Sequence, residues 1–206
     1  MAANTLAATG FNDSFQAGGA APTYAQRTYQ IVSTLTSQIA FGDPVRFLAS
    51  GYIDKYASGG TTICGIFKGC RYFDVNAGRK IFSNAWKAPT LSANTIVEAF
   101  VVNDPMAVFQ VQANGAVAVA QSNVGANVDI TVGSSGSMSL SGLSTCSVLT
   151  SSIATTGTLP FKILGIVGYQ QGVVQPALFP GYDGSQANNW VEVTFNTNAL
   201  LQTTGI

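Results

Sequence analysis

The chain has 206 residues, 47% of them hydrophobic and 22 of them glycine, enough core material for one substantial β domain or two small β modules sharing a core. Only 9% are charged, against a norm of roughly a quarter, and nine Lys and Arg balance nine Asp and Glu to a net charge of zero. That balance removes the attraction on which most nucleic-acid binding depends, and a nearly uncharged surface points to a chain covered by other subunits rather than a free monomer.

Residues 1–29 are rich in Ala, Gly, Thr and Asn and show neither helical nor strand periodicity. They carry no basic leader with an apolar core, so the expectation is an unsecreted product of the cytoplasm. With too little regular apolar surface to fold alone, the segment is predicted to be an extended arm that orders against a neighbour. Phe11, Phe15, Tyr24, Arg27 and Tyr29 are its candidate interface residues, because bulky rings on a small-residue strand suit a partner's pockets. On this reading, deletion of residues 2–23 leaves a folded body.

From Gln30 the apolar period is close to two. Short strands are predicted at 31–35, 45–49, 63–67, 71–73, 96–102, 108–111, 116–120, 128–132, 161–169 and 190–195, each bounded by Gly, Pro, Asn or Asp. Val128, Ile130 and Val132 oppose Asp129 and Thr131, while Val191, Val193 and Phe195 oppose Glu192 and Thr194, so each stretch lays one face on a core. Gly42-Asp43-Pro44 and Asn103-Asp104-Pro105 supply turns, as do Ser58-Gly59-Gly60, Asn114-Gly115 and Asp183-Gly184. No stretch carries a helical apolar stripe, and none approaches the ~18 to 20 apolar residues of a membrane-spanning helix. The predicted class is all-β, an antiparallel sandwich or jelly-roll-like barrel. Residues 30–206 form its body, with a main barrel from 30–115 plus 159–206. The Ser/Thr/Gly-rich stretch within 116–158 is placed on the periphery.

Catalytic chemistry has few footholds. The chain has no histidine, so neither a Ser-His-Asp nor a Cys-His arrangement can be built. Asp43, Asp54, Asp74, Glu98, Asp104, Asp129, Asp183 and Glu192 leave acid–base pairs formally open, yet most fall in turns or on polar strand faces. Gly165-Ile166-Val167-Gly168 lacks the Lys and Ser/Thr of a phosphate loop. Asp183-Gly184-Ser185 and Asn127-Val128-Asp129 are too sparse in oxygen ligands for calcium. Cys64, Cys70 and Cys146 make an odd count, read as reduced thiols rather than a disulfide framework or a zinc site. No catalytic residue, metal or cofactor is therefore expected. Tyr52, Tyr56, Trp86, Tyr169, Phe179, Tyr182 and Trp190 could build a sugar-stacking platform, which would make the chain a glycan-binding or host-attachment module, but core and interface rings are the simpler reading.

Several segments carry a resemblance. Phe41-Gly42-Asp43-Pro44-Val45, then Thr62 through Tyr72 (TICGIFKGCRY), then Val97 through Pro105 leading to Val108-Phe109-Gln110-Val111-Gln112-Ala113, are similar in order to head decoration (cement) proteins of tailed phages. Val124 through Asp129, Leu159 through Gly165 and Asn188 through Asn196 continue the likeness to the C-terminal strand. The resemblance implies a structural virion protein, trimeric, on the outer capsid surface, whose partners are the major capsid protein and itself, with the arm lying on capsid or sister subunit. A minor head–tail structural protein is the other virion role it leaves open.

Overall fold

The computed structural model describes residues 4–22, 25–60, 62–92, 95–133, 141–167 and 184–201. Among these the chain forms strands, turns and single-turn 3-10 helices at Gln121–Asn123 and Thr150–Ser152, and the all-β expectation holds. The strands are β1 (Asn12–Gln16), β2 (Arg27–Ile31), β3 (Pro44–Phe47), β4 (Ile53–Lys55), β5 (Gly65–Asp74), β6 (Arg79–Ser83) and β7 (Val97–Val102). They continue as β8 (Ala107–Asn114), β9 (Asn127–Val128), β10 (Ile130–Thr131), β11 (Ser147–Leu149), β12 (Phe161–Ile166) and β13 (Trp190–Phe195).

Two sheets divide the chain. The first runs β10-β11-β8-β13-β12-β9, with β1 also paired to β8. Its two ends, β9 and β10, are consecutive in sequence and separated only by Asp129, so the strand path returns on itself and curls toward a barrel. All its pairs are antiparallel except β8 with β11. The second sheet runs β2-β7-β5-β3-β4, with β6 on the far half of β5. Its edge strands β2 and β4 approach one another, so this sheet also curls.

Alternation positions the cores. Val191, Val193 and Phe195 are buried while Glu192 and Thr194 are only half-buried, as the period of two requires. They join Phe109, Val111, Phe161 and Ile163 in the first core, to which Ile63, Ile66 and Val102 of the other half also contribute. The second core gathers Ile31, Val45, Phe67, Cys70, Trp86, Val97 and Val101. Strand β5 sends Ile66 into the first and Phe67 and Cys70 into the second. Its pairing with β7 shifts between Phe67 and Gly69, and Gly69 has φ +128° there, a bulge conformation that a side chain strongly disfavours.

Four expectations are corrected. The N-terminal segment is not a free arm: Asn4 and Phe11 are buried, β1 pairs with β8, and β2 runs across the supposed boundary at residue 29 as far as Ile31. Regular periodicity is unnecessary here because one ring, Phe11, fills a slot in a core built by other strands. The 116–158 region is not peripheral, since Val119, Val128, Ile130, Cys146 and Val148 are fully buried in the first core. The body divides near residue 102, not into 30–115 with 159–206. Finally, 116–120 is not a strand but a bend leading into the 3-10 turn at Gln121, and 31–35 turns after Ile31.

Candidate interaction surface

Most buried polar side chains are engaged by the fold, although among the described residues Asp13 Oδ1, Arg46 Nε, Thr131 Oγ1 and Thr197 Oγ1 have no hydrogen-bond partner. Asp43, fully buried, accepts from the Ala40 N–H at 2.8 Å and pairs with the Lys55 ammonium at 3.1 Å through Oδ2. Its Oδ1 accepts from the Ser144 hydroxyl at 2.5 Å and the Cys146 thiol at 3.1 Å. The glycine-proline turn that places Asp43 thereby stitches β4 to the segment before β11. Burial first, and then the neighbouring Asp43 charge, push the Cys146 thiol up to about 12, the reverse of what a nucleophile needs.

A second tie holds the N-terminal segment. The Lys68 ammonium lies 3.1 Å from Asp13 Oδ2, donates to the Phe11 carbonyl at 3.2 Å and sits 4.8 Å from the Phe41 ring centroid. Desolvation pulls its pKa down while Asp13 opposes the shift. Asp129, between β9 and β10, is saturated by Ser58 Oγ, the Gly59 N–H and the Ile130 N–H at 2.8 to 2.9 Å. Of the other carboxylates, Asp54 faces Arg46 and Ser37, Asp74 accepts from the Asn76 and Ala77 N–H groups of its own turn, and Asp104 accepts from Gln16 and the Met106 N–H. These are capping and pairing roles.

The predicted interface residues are scattered. Phe11 stacks on Phe161 at 4.5 Å and meets Phe109 edge-on at 6.2 Å. Phe15 is half-buried beside Val108. Arg27 is exposed and lies 6.0 Å from the half-buried Tyr29 ring, whose hydroxyl accepts from Asn103. Tyr24 falls outside the described residues, as do Tyr169, Phe179, Tyr182 and Asp183. Trp86 and Tyr56 are buried, so neither can serve a sugar-stacking platform.

The surface that does stand out was not anticipated. On the outer face of the second sheet, Arg71 pairs across to Phe82 on β6 and to Glu98 on β7, and Phe73 pairs across to Lys80. Phe73, Phe82 and Ile96, two residues before Glu98, are 49%, 67% and 65% exposed. Three large apolar side chains on neighbouring strands of one face form a patch of the kind that marks a contact site. Exposed Lys80, directly across from Phe73, borders it with Arg79 next along β6, while Arg71 is held by Glu98 and leans on Phe100 at 5.7 Å. The free edge of β6 carries the first two of these cations, which discourages edge-to-edge pairing. The signal in the sequence is the run RKIF after Asn76-Ala77-Gly78, a turn followed by cations and a ring without a clean apolar alternation.

Comparison of the chain with family models, with curated proteins and with solved structures gave no match.

Proposed function

We propose that the chain is a structural virion protein that decorates and stabilises the outer surface of a tailed-phage capsid, bridging major capsid protein subunits as a homotrimer. The observation that carries this reading is the cation-bordered Phe73, Phe82 and Ile96 face on an otherwise charge-poor, neutral body. Such a body has its polar groups committed to holding itself together, and offers one apolar sheet face for others to cover. The ordered resemblance from Phe41 to Asn196 supplies the capsid as the place where many copies act together. On a lattice each contact after the first is effectively intramolecular, so weak individual contacts suffice. The role requires no catalysis and no cofactor.

The test is an electron-microscopy map of heads from the phage encoding the chain. Density for it on the outer shell at repeated lattice positions is the expected result. A single ring of copies at the tail vertex would instead make it a head–tail protein, and bare heads would end the proposal.

A further inference from the structure

The net charge of zero hides a strong asymmetry. Residues 27–102, which build the second sheet, hold eight Lys and Arg against four Asp and Glu, a net of +4. The remainder holds only Lys162 against Asp13, Asp104, Asp129, Asp183 and Glu192, a net of −4. The cations are thus concentrated in the segment that carries the exposed apolar face.

The negative half offers a matching recess. Asp13, Phe15, Gln16, Pro22, Asp104 and Ala107 line a groove beside the turn between β7 and β8, with Met106 52% exposed next to it. The groove admits a water-sized group such as an ammonium head. Asp13 is already paired with Lys68, so the groove's uncompensated charge is Asp104, which accepts from Gln16 and the Met106 N–H but meets no cation among the described residues and suits a lysine whose stem packs on the rim.

We infer that the Phe73, Phe82 and Ile96 face of one copy docks on the Asp104 groove side of the next, with Lys80 directed at Asp104. A two-fold arrangement of this face would set the Lys80 ammoniums of both copies against one another, and like charges brought together at an interface are costly. The contact is thus heterologous, and a heterologous contact that closes makes a ring of three or more copies. This names the self-contact within the proposed assembly, and it stands or falls on the purified chain, separately from the capsid.

The experiment is sedimentation of the full chain at low and high salt, with parallel melting curves for each variant. A ring at low salt that dissociates as salt rises is expected, since exposed charges are screened. Lys80→Glu with Arg79→Glu weakens association by about tenfold or more, and Asp104→Lys added to that pair restores part of it. Carbodiimide treatment of mixed isotope-labelled and unlabelled wild-type chains yields a Lys80–Asp104 cross-link between copies. A monomer at all concentrations, a two-fold dimer, or a ring unaffected by Lys80→Glu and Arg79→Glu and lacking the inter-copy cross-link overturns the inference. A monomer that still coats heads would sink this contact alone, whereas a ring that leaves heads bare would sink the capsid reading alone.

Discussion

Phe11 and Phe161 stack with ring centroids 4.5 Å apart, although 150 residues separate them in the chain. One ring belongs to a segment with no strand periodicity and the other to the strand β12, and together with Phe109 and Phe195 they fill the middle of the first core.

Phe11→Ala is accordingly expected to cost about 3–5 kcal/mol of stability, the range for emptying a buried aromatic site. Urea unfolding at constant m-value measures it. Deleting residues 2–16 removes β1 and this ring together, so the product is expected to be insoluble or unfolded rather than a trimmed, stable body.

Asp43→Ala leaves the Lys55 ammonium without its partner at 3.1 Å, with the Gly133 carbonyl at 3.2 Å its remaining acceptor among the described residues. Breaking a buried ion pair from one side costs about 3–5 kcal/mol, and the Ser144 and Cys146 donors lose their acceptor as well. Asp43→Ala combined with Lys55→Met is expected to be less destabilised than Asp43→Ala alone. A double-mutant cycle by chemical denaturation reads the coupling.

Stability is expected to fall as pH rises above about 9. Burial lifts the Cys64, Cys70 and Cys146 thiols from 9.0 to about 12. Between those values the folded chain keeps protons that the unfolded chain has lost, and each thiol contributes a loss of about 1.4 kcal/mol per pH unit. Burial also raises the Tyr56 hydroxyl, which adds to the loss at higher pH. Lys68 acts the other way: its lowered pKa makes stability rise with pH up to 10.5, but it is one group against four. Melting temperatures across pH 7–11 check the sign, and Cys70→Ala should flatten the decline.

Phe82→Ser and Phe73→Ser are expected to change stability by no more than about 0.5 kcal/mol each, since both rings face outward. Their effect should appear in self-association and in head binding, so the same melting and sedimentation series separates a fold residue such as Phe11 from a contact residue such as Phe82.

Gly69→Ala should cost more than an ordinary strand substitution. The added Cβ would lie 2.8 Å from the Ser83 carbonyl oxygen, and φ at +128° is a conformation that side chains rarely adopt. Amide hydrogen exchange along β5 and β6 is expected to report a loosened hairpin.

The strands legible in the sequence are the apolar-rich ones, β3, β5, β7, β8, β12 and β13, with buried and half-buried residues alternating most cleanly in β13. Those that escaped are short or polar. β1 reads NDSFQ, β4 reads IDK and β11 lies among serines and threonines. Each gains its conformation from long-range pairing, as when Val148 meets Ala113 in the parallel pair, and no local pattern encodes that. The contact face was hidden for a related reason: Phe73 and Phe82 look like core residues until β6 is known to lie at an edge. The Asp43 turn was visible as a turn, but its tie to Ser144, 101 residues away, was not.

Because β5 forms a wall of both cores, neither half has a complete interior without it. Heat or denaturant that strips this strand from one side opens the other, so the two sheets should melt in a single step despite their opposite charge. A particle built from such units would gain or lose each of them whole, with no half-unfolded copies left clinging to it.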